Sequence, residues 1–242
     1  MSLYELIKED FSVPKKNDPA LHSSIELLFN YPGVWAIVNY RIAHKLYLKG
    51  FKRLSRILSG LSQFFTNIDI HPCATIGRRV FIDHGFGVVI GETTIIKDDV
   101  LIYQGVTLGG VSLKKGKRHP TIEENCIIGA GSKILGNITI GANSKIGANS
   151  VVIKDVDSNS TAAGVPARVI KRNQNEFQNQ LDHNNIPDVP KEMISYLMKR
   201  LSVVEEALKI QDGIDLSVQE QQLEKDYEEF IDSVLKSNNS SK

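Results

Sequence analysis

Residues 122–152 read IEENCIIGAGSKILGNITIGANSKIGANSVV, and in them Ile122, Ile128, Ile134, Ile140, Ile146 and Val152 recur at steps of six. A helix returns to one face every third or fourth residue and a strand every second, so a step of six fits neither. It fits short strands joined by tight corners, each strand turning one aliphatic side chain inward. Three such strands close a coil of eighteen residues. Gly129, Gly141 and Gly147 follow the aliphatic residue, and Ala, Asn and Ser fill the next positions. Corners call for these types, because backbone entering positive φ penalises a residue with a Cβ. Coils of this kind stack through backbone hydrogen bonds at about 4.8 Å per layer.

Upstream the same period runs through Ile70, Ile76, Ile82 and Val88, and again through Ile90, Ile96, Ile102 and Leu108. The phase slips by two residues between Val88 and Ile90, and fourteen positions separate Leu108 from Ile122. The second slip, GGVSLKKGKRHPT, reads as a loop at 109–121 thrown out from one corner. The coil domain is set at 67–170. Before it, residues 1–66 have helical spacing broken at Pro14, Pro19, Pro32, Gly33 and Gly50, and read as a helical cap. Arg41, Lys45, Lys49, Lys52, Arg53 and Arg56 read there as a solvated basic face rather than a membrane-surface helix. After the coils, the polar stretch 171–186 reads as a linker. Residues 187–242 read as a helical extension. Ile194, Leu197, Leu201, Val204 and Leu208 form one stripe, and Ser217 and Glu220 a capping box before Leu223, Tyr227, Phe230 and Val234. The expected fold class is mixed α and β, a parallel β-helix between helical segments.

Bulk properties narrow the function. With 29 Lys plus Arg against 28 Asp plus Glu, a net charge of +1 gives no general attraction to nucleic acid or an acidic membrane. Cys73 and Cys126 match neither a metal spacing nor a disulfide framework, so both are expected to be small buried apolar residues in a reducing compartment. No run of eighteen apolar residues occurs, and MSLYELIKEDF lacks a signal sequence's apolar centre, so a cytoplasmic location is expected.

Several ionisable residues are not needed by a plain coil: Asp69 and His71 in DIHP, Asp83 and His84 in FIDHG, Arg118 and His119 in KRHP. Asp69 and His84 are fifteen residues apart, nearly one coil, which permits adjacent layers at one edge. A carboxylate that orients an imidazole is what acyl transfer to an alcohol requires, because a hydroxyl attacks poorly until a base removes its proton.

The stretch DIHPCATIGRRVFIDHGFGVVIGET, followed by VTLGG, KRHP, GAGSKILGNITIGANSKIGANSVV and GVPAR, resembles the serine O-acetyltransferase family of hexapeptide-repeat acyltransferases. The likeness covers about residues 15–172 and includes NDPA at 17–20. It implies a left-handed β-helix, a homotrimer, acetyl-CoA as donor and L-serine as acceptor, giving O-acetylserine for cysteine synthesis. It further implies His84 as general base with Asp69 orienting it, and His119 as a second imidazole over the site. Asp18 and Asp83 would bind the serine ammonium and Arg118 its carboxylate. Gly109, Gly110, Ala130, Lys145 and Ala148 would line the CoA groove between neighbouring subunits, with Arg168 near its phosphates and no metal required. Because Asp18 lies close to the start, a single trimer is expected unless the C-terminal helices join two. The terminal Asn-Asn-Ser-Ser-Lys lacks the isoleucine with which sulfhydrylase-binding members end, so that complex is not expected. L-Cysteine is expected as a feedback inhibitor at the serine site. Rivals are an acetyltransferase of the same fold acting on homoserine, a sugar or a drug, a metal-dependent hydratase ligated by His71, His84 and His119, and a non-catalytic scaffold.

Overall fold

The inward aliphatic positions explain the architecture seen in the computed structural model. It describes residues 2–23, 25–172, 194, 196–202 and 204. All fourteen repeat aliphatics are buried, none more than 6% exposed. Their strands fall into three parallel sheets. The first face stacks β1 (Asp69–Ile70), β4 (Val89–Ile90), β7 (Thr107–Gly109), β10 (Lys133–Leu135) and β13 (Val151–Val152). The second stacks β2 (Thr75–Ile76), β5 (Ile95–Ile96), β8 (Thr121–Ile122) and β11 (Thr139–Ile140). The third stacks β3 (Phe81–Ile82), β6 (Leu101–Ile102), β9 (Ile127–Ile128), β12 (Lys145–Ile146) and β14 (Ser160–Gly164), and ends in β15 (Ala167–Arg172). From β1 to β10 each strand pairs with the strand three later, so the chain winds around a three-sided prism, and at the last coil β12 pairs with β14 instead.

Register locates the interruptions. Lys133 pairs with Val151, one regular coil on, whereas Asp69 pairs with Val89, two residues longer. Ile95 pairs with Thr121, eight residues longer than a regular coil. The short insertion lies between Ile82 and Ile90, in the corner that carries Asp83 and His84. Val88 is therefore not a strand position; with Ile68 and Val106 it fills the buried corner just before the first face. The long insertion is the loop between Gly109 and Thr121, which carries Arg118 and His119.

Ahead of the coils are α1 (Leu3–Asp10), α2 (Pro14–Asn17), α3 (Glu26–Phe29), α4 (Pro32–Leu48) and α5 (Lys52–Thr66). Pro14 and Pro32 each start a helix, where their missing N–H costs nothing. Gly33 is needed because a Cβ there would stand 2.0 Å from Ile82 O, so α4 lies directly on β3. Tyr40 on α4 donates to Ala74 O at 2.6 Å and accepts from Ile76 N–H at 3.1 Å. Arg41 is not solvated. It is 6% exposed, ion-paired with Asp10 at 3.1 Å and bonded to Ile76 O and Gly77 O, both at 2.6 Å. On α5 the buried residues are Ser55, Ser59, Ser62 and Thr66, while Leu54, Ile57, Leu61 and Phe64 are exposed.

Two further readings are revised. Cys126 is buried and its thiol is pushed up to about 12 by burial, but Cys73 is only partly covered. The end of the coils is an antiparallel hairpin, β14 with β15, and Lys171 and Arg172 complete its second strand rather than open a linker. The chain divides into two compact units, 1–186 and 187–242. In the second, residues 194, 196–202 and 204 are helical, and Ile194, Leu197, Leu201 and Val204 are exposed. Leu208 and the Ser217 to Val234 segment lie outside the described residues.

Candidate active site

The sequence-derived candidates gather at two corners of the prism. The first corner joins the third face to the first. Asp83 follows β3, and its Oδ1 accepts the N–H of His84 at 3.0 Å. His84 has φ 56° and Gly85 φ 79°, so the imidazole is held out on left-handed backbone, a conformation that costs a residue with a Cβ about 1–2 kcal/mol. Asp18, capping the end of α2, accepts Ala20 N–H at 2.8 Å on one oxygen and the Tyr31 hydroxyl at 2.7 Å on the other. Burial holds the Asp83 carboxyl above its ordinary range, with the Asp18 charge adding and His84 opposing. The Tyr103 hydroxyl is likewise raised, by burial and then by Asp83 and Asp18. Among the described residues, neither Asp18 nor Asp83 joins an ion pair. Two close carboxylates without a cation form a seat for one.

The His84 loop rests on the segment leading to Asp69. Gly87 N–H donates to Asn67 O and Asp69 N–H to Val88 O, both at 2.9 Å, and a Cβ on Gly85 would meet Ile68 Cδ1 at 2.5 Å. These are adjacent layers. Among the described residues, however, no hydrogen bond joins the Asp69 carboxylate to the His84 ring.

The second corner joins the first face to the second, and a cleft of about 240 Å³ opens beside it. Arg56, Asp69, His71, Glu92, Arg118 and His119 line it. Arg118 Nη2 donates to Glu92 Oε2 at 2.7 Å, which leaves part of its fork for another anion. His71 Nδ1 accepts the N–H of Cys73 at 3.0 Å, so its proton belongs on Nε2. Burial lowers the His71 pKa, and Arg56 adds to that. His119 is 7% exposed; burial first and Arg118 second lower its pKa as well. The Lys117 ammonium donates to the carbonyls of Thr93, His119 and Pro120 at 2.8, 2.6 and 3.1 Å, tying down the base of the loop.

The chain thus brings Asp18, Asp83 and His84 together, and separately Asp69, Arg118 and His119. The corners are roughly 15–20 Å apart, since about six residues at 3.3 Å each cross one face. The residues assigned to CoA divide in the same way. Gly109 and Gly110 open the loop at the second corner. Ala130 and Ala148 stand above His84 at the first, in a column linked by Gly105 N–H to Phe86 O, Gly131 N–H to Gln104 O and Asn149 N–H to Ala130 O, each 2.8 Å. Lys145 starts β12 on the third face, and Arg168 lies in β15, opposite Ala163. Tyr31, Glu92 and Thr93 carry no role in the sequence reading. Glu92 and Thr93 stand in its quoted stretch, whereas Tyr31 lies in no motif.

Residues 119–154 match the family model "bacterial transferase hexapeptide (six repeats)". The serine acetyltransferase of Bacillus pumilus is 51% identical over 185 residues, covering 76% of this chain and 85% of that protein. The chain belongs to the serine acetyltransferase family. Two solved serine acetyltransferases superpose on it. One, from Neisseria gonorrhoeae in complex with serine, gives a TM-score of 0.67 at 40% identity, covering 70% of this chain and 69% of that one. The other, from Brucella abortus in complex with coenzyme A, gives 0.67 at 43%, covering 70% and 68%. Among the described residues, no group of three or more His, Cys, Asp or Glu side chains is arranged to hold a metal ion. No described helix is long and apolar enough to cross a membrane.

Proposed function

We infer that the chain is a serine O-acetyltransferase that moves acetyl from acetyl-CoA to the L-serine hydroxyl, releasing O-acetyl-L-serine and CoA as the first step of cysteine synthesis. The observation that carries this is the acidic seat of Asp18 and Asp83 beside the exposed imidazole of His84. An amino acid docked by its ammonium on these carboxylates turns its hydroxyl toward His84 as base. Arg118 then grips the substrate carboxylate, and Asp69, which lines the same cleft as Arg118, orients His84 of an adjoining copy. The hydroxyl oxygen attacks the thioester carbonyl, and the oxyanion forms beside the Gly109–Gly110 turn. Collapse expels the CoA thiolate, to which His84 returns the proton. The CoA arm follows the corner column past Ala130 and Ala148, with Lys145 and Arg168 nearer its polar end.

A serine molecule is too small to touch both corners of one prism. That supports a homotrimer of left-handed β-helices in which one copy offers Asp18, Asp83 and His84 and its neighbour Asp69, Arg118 and His119. The apolar stripe Leu54, Ile57, Leu61 and Phe64 on α5 favours assembly as well. In this reading residues 1–66 are a cap, 67–172 the catalytic coils with their closing hairpin, 173–186 a linker and 187–242 a helical extension, and the enzyme is cytoplasmic. L-Cysteine carries the same ammonium and carboxylate as serine, so it competes for the seat.

Thiol release from acetyl-CoA, with L-serine, L-homoserine, L-threonine and simple sugars offered side by side, tests the acceptor. L-Serine is expected to be preferred; a preference for a sugar would favour the rival acetyltransferase. Replacing His84 with Ala should lower kcat on the order of 10²- to 10⁴-fold and spare CoA binding. Near-normal turnover in that variant would refute its role as base.

A further inference from the structure

Thr93 sits at the turn after β4, and every polar atom it has is engaged in the second corner. Its hydroxyl accepts the backbone N–H of Arg118 at 3.0 Å and that of His119 at 3.2 Å. A hydroxyl has two acceptor sites and one proton. Both acceptor sites are taken, so the 2.9 Å contact between Thr93 Oγ1 and His119 Nδ1 is made by the hydroxyl proton. The Thr93 N–H points at the same nitrogen, 3.2 Å away. Two donors therefore converge on Nδ1, which leaves no place for a proton there. The ring's proton belongs on Nε2.

We propose that Thr93 is a positioning residue that locks His119 as the Nε2–H tautomer, so that His119 serves the reaction as a fixed hydrogen-bond donor and never as its base. Two glycines fix where the donor sits. A Cβ on Gly91 would stand 2.0 Å from His119 Cδ2 and 2.2 Å from Nε2, and one on Gly110 3.1 Å from Nε2. The imidazole thus lies against bare backbone at the turn to which the developing oxyanion is assigned, and this inference rests on that assignment. The lock also divides labour between the imidazoles. His84 takes the serine proton and passes it to the CoA thiolate, while the His119 proton stays on Nε2 throughout.

The groups facing His119 are Arg118 and Lys117 from its own loop, Glu92 from the turn after β4, and His71 from the turn after β1. Burial and the nearer cations already disfavour a charged ring. Without the Thr93 hydroxyl, Nδ1 keeps only the backbone donor and is freer to take a proton.

The test uses the full chain with ¹⁵N-labelled histidine, the His119 signals being assigned by their loss in His119→Gln. Long-range ¹⁵N–¹H correlation at neutral pH should give a bare Nδ1 and a protonated Nε2 in the parent and in Thr93→Ser. Thr93→Val should shift that pattern toward a mixed or cationic ring and lower kcat about 10- to 100-fold, in the range seen when a residue that orients a functional histidine is lost. Its acid limb should move to higher pH and its KM for acetyl-CoA stay within about twofold, with Thr93→Ser restoring kcat to within about threefold. Protonated Nδ1 in the parent, or a Thr93→Val protein with the parent's spectrum and pH profile, overturns the proposal. If Thr93→Val does not fold, the parent and Thr93→Ser spectra decide it alone. A parent with the predicted tautomer but no acetyl transfer to serine would keep the lock and refute the functional reading instead.

Discussion

In its proposed role as an ammonium seat, Asp83 lies between two demands. Seating an ammonium requires it ionised, yet burial and the Asp18 charge hold its carboxyl above the ordinary range. The ionised fraction therefore begins to fall above the usual carboxylate value of about 4 as the medium is acidified. The KM for serine should rise with falling pH through that raised value, while Asp83→Asn should bind serine weakly and show no such limb. A parent KM that stays flat as the pH falls to the ordinary carboxylate value of about 4 would contradict the seat. The linkage has the opposite sign for folding. A group whose pKa is raised by folding contributes less stability as pH climbs from its unfolded value through its folded one. Asp83→Asn should accordingly melt at a higher temperature than the parent at pH 7 in a thermal scan, the trade-off expected of a residue kept for binding.

At the scale of elements, the helices are joined to the coils by a few buried polar contacts. Arg41 on α4 pairs with Asp10 of α1 and donates to the carbonyls of Ile76, at the end of β2, and Gly77, just after it. Arg41→Leu would leave the Asp10 carboxylate buried without its partner, and urea denaturation should register a loss of about 3–5 kcal/mol. Arg41 also marks where the sequence ceases to be legible. Its spacing with Lys45 and Lys49 suggests a wet face, because its partner is 31 residues away and no periodicity records it. The coils could be read because each inward isoleucine is specified by its own hexapeptide, and both breaks in the period fall where the register breaks. Asp83, His84, Arg118 and His119 could be found because they interrupt that pattern. Their division between corners could not, since it depends on which face each insertion leaves. Tyr31 was invisible because an aromatic residue before a helix carries no signature, and the β14–β15 hairpin because GVPAR suggests a turn without naming the strand it returns along.

For the whole molecule, the distance between corners makes an expectation about mixed assemblies. Co-expressed His84→Ala and Arg118→Ala chains, each nearly inactive alone, should recover about a quarter of parental activity, since one interface in four of a random closed ring pairs an intact His84 with an intact Arg118. Thiol release by the purified mixture measures it, and activity no higher than either variant alone would return the site to a single chain. The two ends of the prism bear on the form such assemblies take. At the first coil, α4 rests on β3 and α5 on β1. At the last, β15 runs antiparallel to β14 and occupies the hydrogen-bonding edge where the third face would otherwise accept another parallel strand. An unfinished stack of identical layers is a template for endless addition, the geometry of a fibre. By reversing direction at Val165 and Pro166, the chain closes the third face to further layers, and in the proposed assembly that leaves the flanks of the column, not this tip, for contact between copies.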